Sequence, residues 1–153
     1  MRRRKILEVI QNYPGISFNE IVKKTKLSNG VVSHHILQLM KDKELIKEGN
    51  KRGKYFDTNV SKDNREVIVI LRNNTNLEIL KFLLKMKYPQ TTKEIGEAVK
   101  KSSSTISITL KKLKKESLIE TKILNRNLKL TSDLGYQISK EGFLNKILKM
   151  YNI

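Results

Sequence analysis

Ser28-Asn29-Gly30 and Ser33-His34 bring together the residue types best suited to contacting hydrogen-bonding edges rather than to making or breaking bonds. An Asn carboxamide can pair bidentately with adenine, and Ser and His side chains reach either bases or phosphates. Gly30 leaves the backbone open to close approach. Seventy-four residues further on, Ser102-Ser103-Ser104, Ser107 and Lys111 offer hydroxyls and an ammonium at similar spacing. Lys51, Arg52 and Lys54, and later Arg126, sit in Gly- and Asn-rich turns, where cations touch phosphate or lie beside a minor groove. No Gly-rich phosphate loop or nucleophile elbow is present, so no enzyme is expected. His34 and His35 are adjacent and point to different faces of a helix, so they cannot share one metal as an i, i+4 pair could. The sequence has no Cys, which removes thiolate metal sites and disulfides. Neither metal nor cofactor is expected, and His35 reads as a partly buried packing residue.

The charge balance names the partner. The 153 residues carry 32 Lys and Arg against 15 Asp and Glu, a formal net charge of +17. Such an excess points to a polyanion. Residues 1–62 hold 14 basic and 6 acidic side chains and the remainder 18 and 9, so neither half is a basic tail on a neutral domain. The cations are interleaved with Ile, Leu and Val at helical spacing and therefore decorate folded surfaces. No apolar run approaches the roughly 20 residues of a membrane span. Arg2, Arg3 and Arg4 do not open a signal peptide, because Glu8, Gln11, Asn12 and Pro14-Gly15 interrupt the apolar stretch after them. A cytoplasmic protein with no membrane partner is expected.

The elements that must position these residues are written twice. Ser17 to Ile21 falls on Thr91 to Ile95, and Val32 to Leu39 falls on Ile106 to Leu113, both at an offset of 74; Leu45-Ile46 then matches Leu118-Ile119. Each copy opens with an apolar helix that stops at a Tyr-Pro pair, Tyr13-Pro14 or Tyr88-Pro89, because the residue before Pro is pushed out of the helical region. A second helix of about two turns begins with Ser17 or Thr91 three residues before Glu20 or Glu94, a capping box. After a tight turn and a second cap, Ser28 or Ser102, a third helix keeps Val32, Ile36 and Leu39, or Ile106, Leu110 and Leu113, on its inner face. Two helices joined this way form a helix-turn-helix.

A hairpin succeeds each third helix. In the first copy Leu45-Ile46-Lys47 and Lys54-Tyr55-Phe56 flank Gly49 to Gly53; in the second, Ile119 to Leu124 and Leu128 to Leu130 flank Asn125-Arg126-Asn127. These are wings. The fold class is mainly α with small β-wings: two tandem winged helix-turn-helix domains, 1–62 and 76–141, plus a C-terminal helix, 142–153. Residues 63–75 form a linker. The periodicity of its Val67 to Leu71 run fits a buried strand or a buried helix, and the caps Ser61 and Asp63 favour the helix. The last helix places Phe143, Ile147 and Tyr151 on one stripe, an apolar face available for a homodimer. Arg2 to Arg4 stand either as a minor-groove arm or as a disordered terminus.

The segment Leu27-Ser28-Asn29-Gly30-Val31-Val32-Ser33-His34-His35-Ile36 through Leu39, with Leu45-Ile46, resembles the recognition segment of ArsR-like and MarR-like winged helix regulators. In the second copy Ser102 to Ser107 and Leu110 fit, while Ile108 and Thr109 replace the two histidines. Leu130-Thr131-Ser132-Asp133-Leu134-Gly135 is similar to the wing exit of those families. The resemblance covers residues 4–60 and 76–140, and the tandem arrangement looks most like archaeal regulators. It implies sequence-specific binding to double-stranded DNA. Metal sensing is not carried over, because the Cys ligands common in ArsR-like sensors are missing. The implied contacts are Ser28, Asn29, Gly30, Ser33, His34, Lys51, Arg52 and Lys54, then Ser102, Ser103, Ser104, Ser107, Lys111 and Arg126. Two modules of one chain, or a dimer joined through 142–153, would engage successive grooves. The competing reading is an interaction component of transcription or chromosome machinery, for which Ile108 and the apolar helix Leu77 to Met86 speak.

Overall fold

The computed structural model describes residues 1–124 and 133–153. It divides into two compact units, Met1–Ile70 with Ile147–Ile153, and Leu71–Lys146. Among the described residues there are eight helices, a three-stranded sheet and a two-stranded sheet, all pairings antiparallel.

The first unit runs α1 (Arg2–Asn12), β1 (Ile16–Ser17), α2 (Phe18–Thr25), α3 (Asn29–Lys41), β2 (Leu45–Glu48), β3 (Lys54–Asp57) and α4 (Lys62–Leu71). Ile6, Ile10, Ile21, Val32 and Leu39 are fully buried where α1, α2 and α3 meet. Each such side chain contributes about 1.5–3 kcal/mol relative to exposure. The Glu20 N–H donates to Ser17 Oγ and the Ser17 N–H to Glu20 Oε2, at 3.4 and 2.9 Å, so the capping box starts α2. Lys26 then turns left-handed, at φ 58, and stops it.

β3 lies between β1 and β2, with Ile16 opposite Tyr55 and Leu45 opposite Asp57. The turn into β1 needs Gly15, whose φ is +77; a Cβ there would stand 2.8 Å from Ile68 Cγ2 and 3.2 Å from the Phe56 ring. Ile68 comes from α4, the segment whose apolar run the sequence places between domains. Ser61 Oγ accepts the Asn64 N–H at 3.3 Å and caps that helix, and Ile68 and Leu71 are buried.

The arginines Arg2 to Arg4 form neither an arm nor a disordered terminus. All three lie in α1, Arg3 reaching Asp42 at 2.6 Å and Glu44 at 2.7 Å, and Arg4 pairing with Glu8 at 2.9 Å. Partners about forty residues away in the sequence hold Arg3 in place.

The second unit repeats the plan with α5 (Asn74–Lys85), α6 (Thr92–Val99), α7 (Ser103–Lys115), β4 (Ile119–Leu124) and β5 (Asp133–Ile138). A bridge between Gln90 and Tyr136 takes the place of the β1 to β3 pairing. Thr91 and Glu94 form the second capping box, and Lys100 turns left-handed at φ 55. Ile79, Leu80, Ile95, Ile106 and Leu113 are fully buried.

The expected return strand, Leu128 to Leu130, lies outside the described residues; the described partner of β4 is β5, which pairs Leu124 with Asp133 and Ile119 with Ile138. Gly135 is a strand residue rather than a wing exit. Any Cβ there would come within 2.7 Å of Pro89 Cβ and 2.8 Å of Leu124 Cδ1, so the glycine serves close packing. The expected tip, Asn125-Arg126-Asn127, lies outside the described residues. α8 (Glu141–Met150) comes last, burying Leu144 and Ile147, and in the first unit Asn64 Nδ2 donates to the Tyr151 hydroxyl at 3.3 Å.

Candidate nucleic-acid interface

Burial of Val32, Ile36 and Leu39 turns the other face of α3 to solvent. Asn29, Gly30, Ser33 and His34 are all exposed, with Leu37 beside them, 65% exposed. A Cβ on Gly30 would meet nothing within 4 Å, so no packing demand of the fold explains a glycine there. Ser28 holds the N-cap position, yet its hydroxyl makes no capping bond and remains exposed. The expectation that Ser28 caps as Ser102 does is met only by Ser102, which accepts the Thr105 N–H at 3.3 Å. His35 is half-buried beside His34, the ring centroids 5.3 Å apart, and its Nδ1 is buried without a hydrogen-bond partner. Among the described residues no three His, Cys, Asp or Glu gather into a metal-binding group.

The equivalent face of α7 exposes Ser103, Ser104, Ser107 and Lys111, and Ile108 is 72% exposed. Thr109, which stands where the first unit has His35, is buried and donates back to the Thr105 carbonyl at 2.8 Å. The last turn of α7 adds Lys112, Lys114 and Lys115, placed to complement the negative end of the helix.

The first wing gathers more cations than the sequence pattern assigns to it. Lys51 and Arg52 are exposed at its tip and Lys54 is half-buried on β3. With Lys47 they line a groove of about 580 Å³ whose other wall is the start of α2, Ser17 and Asn19. The ammonium and guanidinium groups of the wing favour an anion, while the N–H of Ser17 on the facing wall is already taken by the Glu20 carboxylate. Nothing in the sequence pattern singles out Lys47. Its stem lies across Gly53, where a Cβ would fall 2.1 Å from Lys47 Cε and 2.7 Å from Cγ. That cross-strand contact leaves no local signal except a glycine in the turn.

The second wing differs in chemistry. Thr121, paired with Tyr136 as Lys47 is with Tyr55, carries no charge, and Gly135 stands where Lys54 does. Its cross-strand pair Ile123 and Leu134 is exposed, at 67% and 51%. Arg126 lies outside the described residues.

Comparison with known proteins agrees with this geometry. Residues 1–68 match a family model described as an N-terminal HTH domain, and residues 73–121 match that of the bacterial regulatory protein, arsR family. This chain is a tandem winged helix-turn-helix protein. Its two helix-turn-helix domains mark a DNA-binding regulator. No curated protein matches it. Among solved structures it is similar to a conserved hypothetical protein from Chlorobium tepidum, at 14% identity and a TM-score of 0.35, over 99% of this chain and 96% of that one. So distant a likeness carries no argument. Among the described residues no helix is long and apolar enough to cross a membrane.

Proposed function

We propose that this regulator binds double-stranded DNA sequence-specifically, with α3 and α7 in major grooves and the first wing on phosphate or the adjacent minor groove. The observation that carries the reading is the outward face of α3, where Asn29, Gly30, Ser33 and His34 stand exposed opposite the buried stripe. Asn29 selects adenine, Ser33 and His34 contact bases or phosphate, and Lys51, Arg52 and Lys54 hold the backbone. Ser28 supplies an uncommitted hydroxyl. In the second unit Ser103, Ser104, Ser107 and Lys111 play the matching parts, while Ser102 acts chiefly as a cap. The reading requires no metal or cofactor and places the protein beside the chromosome in the cytoplasm. The two modules act from one chain; a homodimer through the C-terminal helix is the variant, less favoured because Leu144 and Ile147 are already buried.

A titration of fluorescent duplex at several salt concentrations tests it. Replacing Arg52 and Lys54 by Ala should weaken binding to every sequence and flatten the log–log salt slope by about one unit for each phosphate left unneutralised. Asn29→Ala should leave that slope unchanged and lower the preference for the selected site over random sequence by about 1–3 kcal/mol. DNA retention unaltered by all three changes overturns the proposal. It would favour an interaction component of transcription or chromosome machinery, a reading supported by the exposed Ile108, Ile123 and Leu134.

A further inference from the structure

We infer that each recognition helix reads a thymine through its 5-methyl group, by Leu37 on α3 and by Ile108 on α7. The inference rests on the regulator reading above and names what the two helices recognise. Ser33, Leu37 and Lys41 succeed one another at i, i+4 spacing along the exposed face of α3, and Ser104, Ile108 and Lys112 repeat that order on α7. All six side chains are exposed, Leu37 at 65% and Ile108 at 72%. Eight residues of helix rise about 12 Å, so each stripe presents a hydroxyl, an aliphatic group and an ammonium in sequence along two turns.

The stripes are not a simple inheritance of the repeat. At the 74-residue correspondence Leu37 aligns with Lys111 and Ile108 with His34, so the order recurs in a register moved by three residues. Duplication alone would have put the aliphatic groups at matching positions. Recurrence of the order at shifted positions points to one kind of surface opposite both helices. Neither side chain serves a core, which draws on Val32, Ile36 and Leu39 in one helix and Ile106, Leu110 and Leu113 in the other.

Each helix exposes a single large aliphatic side chain. A groove on a protein partner takes several apolar anchors at i, i+3, i+4 and i+7, and a lone aliphatic group between a hydroxyl and an ammonium does not supply them. The apolar feature of a major groove edge is the thymine methyl, and polar edges and phosphates surround it. One methyl is also the size of feature that one Leu or Ile covers.

The experiment selects preferred duplexes from a random-sequence pool with the full chain, then replaces each thymine of the selected duplex by uracil, one at a time. Uracil deletes the methyl and leaves the hydrogen-bonding edge intact. Affinity should fall about three- to tenfold at one thymine facing each recognition helix. Leu37→Ala should abolish the sensitivity at one of these thymines and Ile108→Ala at the other; both residues are exposed, so neither change should disturb folding. A selected site indifferent to uracil throughout, or variants that keep the full wild-type sensitivity, overturns the methyl contact and leaves the regulator reading standing. A chain that selects no duplex overturns both.

Discussion

At the scale of single residues, Gly30 is the position where the proposed duplex contact can be told apart from the needs of the fold. Its Cβ would enter open space, so alanine there should be accepted with an unchanged or higher thermal midpoint, glycine being the poorer helix former by up to about 1 kcal/mol. The added methyl should nonetheless weaken duplex binding, because it stands between the first turn of α3 and any groove wall. Melting and binding measured on Gly30→Ala check the two signs; a parallel loss of both would mean that Gly30 is structural. Asn29, Ser33 and His34 were legible as surface residues because the inner stripe fixes their direction by helical period alone. Lys47 was not legible. Its placement depends on the stem lying across Gly53, which no spacing along the chain records.

Among the elements, local signals carried furthest. Both capping boxes and the Tyr13-Pro14 stop could be read because each rests on residues within four or five positions of one another; the second stop was expected at Tyr88-Pro89, yet α5 already ends at Lys85, with Met86 as its extended C-cap. Gly135 shows the opposite case: it suggested a wing exit, but it lies within β5 and is there to admit Pro89 and Leu124, which no spacing near it records. In the first wing, Gly53→Ala should push the Lys47 stem aside without unfolding the hairpin. Its expected signature is a weaker affinity and a salt slope flattened to about the extent caused by Lys47→Ala. A salt titration of the two variants side by side checks it. β3 carries a second testable property, since burial pushes the Tyr55 phenol above its ordinary value of 10.0. The folded state thus favours the protonated ring, a contribution fully present below about pH 10 and lost as pH rises through the folded value. Thermal midpoints of the unmodified chain and of Tyr55→Phe, tracked from about pH 8 to about pH 11, should separate at the alkaline end with the Phe variant declining less.

For the whole molecule, the net charge of +17 is spread over both units but is put to different use in each. The first unit concentrates cations on its wing and leaves α3 with Lys41 as its one basic residue, while the second loads the end of α7 with lysines and exposes Ile123 and Leu134 on its wing. The copies have therefore diverged in surface while keeping their inner stripes. Composition foresaw a polyanionic partner; it could not foresee this division, because counting charges says nothing about which face carries them.

The closure of Gly15 against Ile68 bears on how the molecule can be dissected. A fragment ended at Lys62 would retain α1 to α3 and β1 to β3, yet would lose α4 and with it the Ile68 wall on which the turn before α2 is seated. Its wing and its reading helix would then be judged in a loosened frame. Deletion work on this chain has to leave residues through Ile70 attached, or it will mistake an absent support for an absent ligand group.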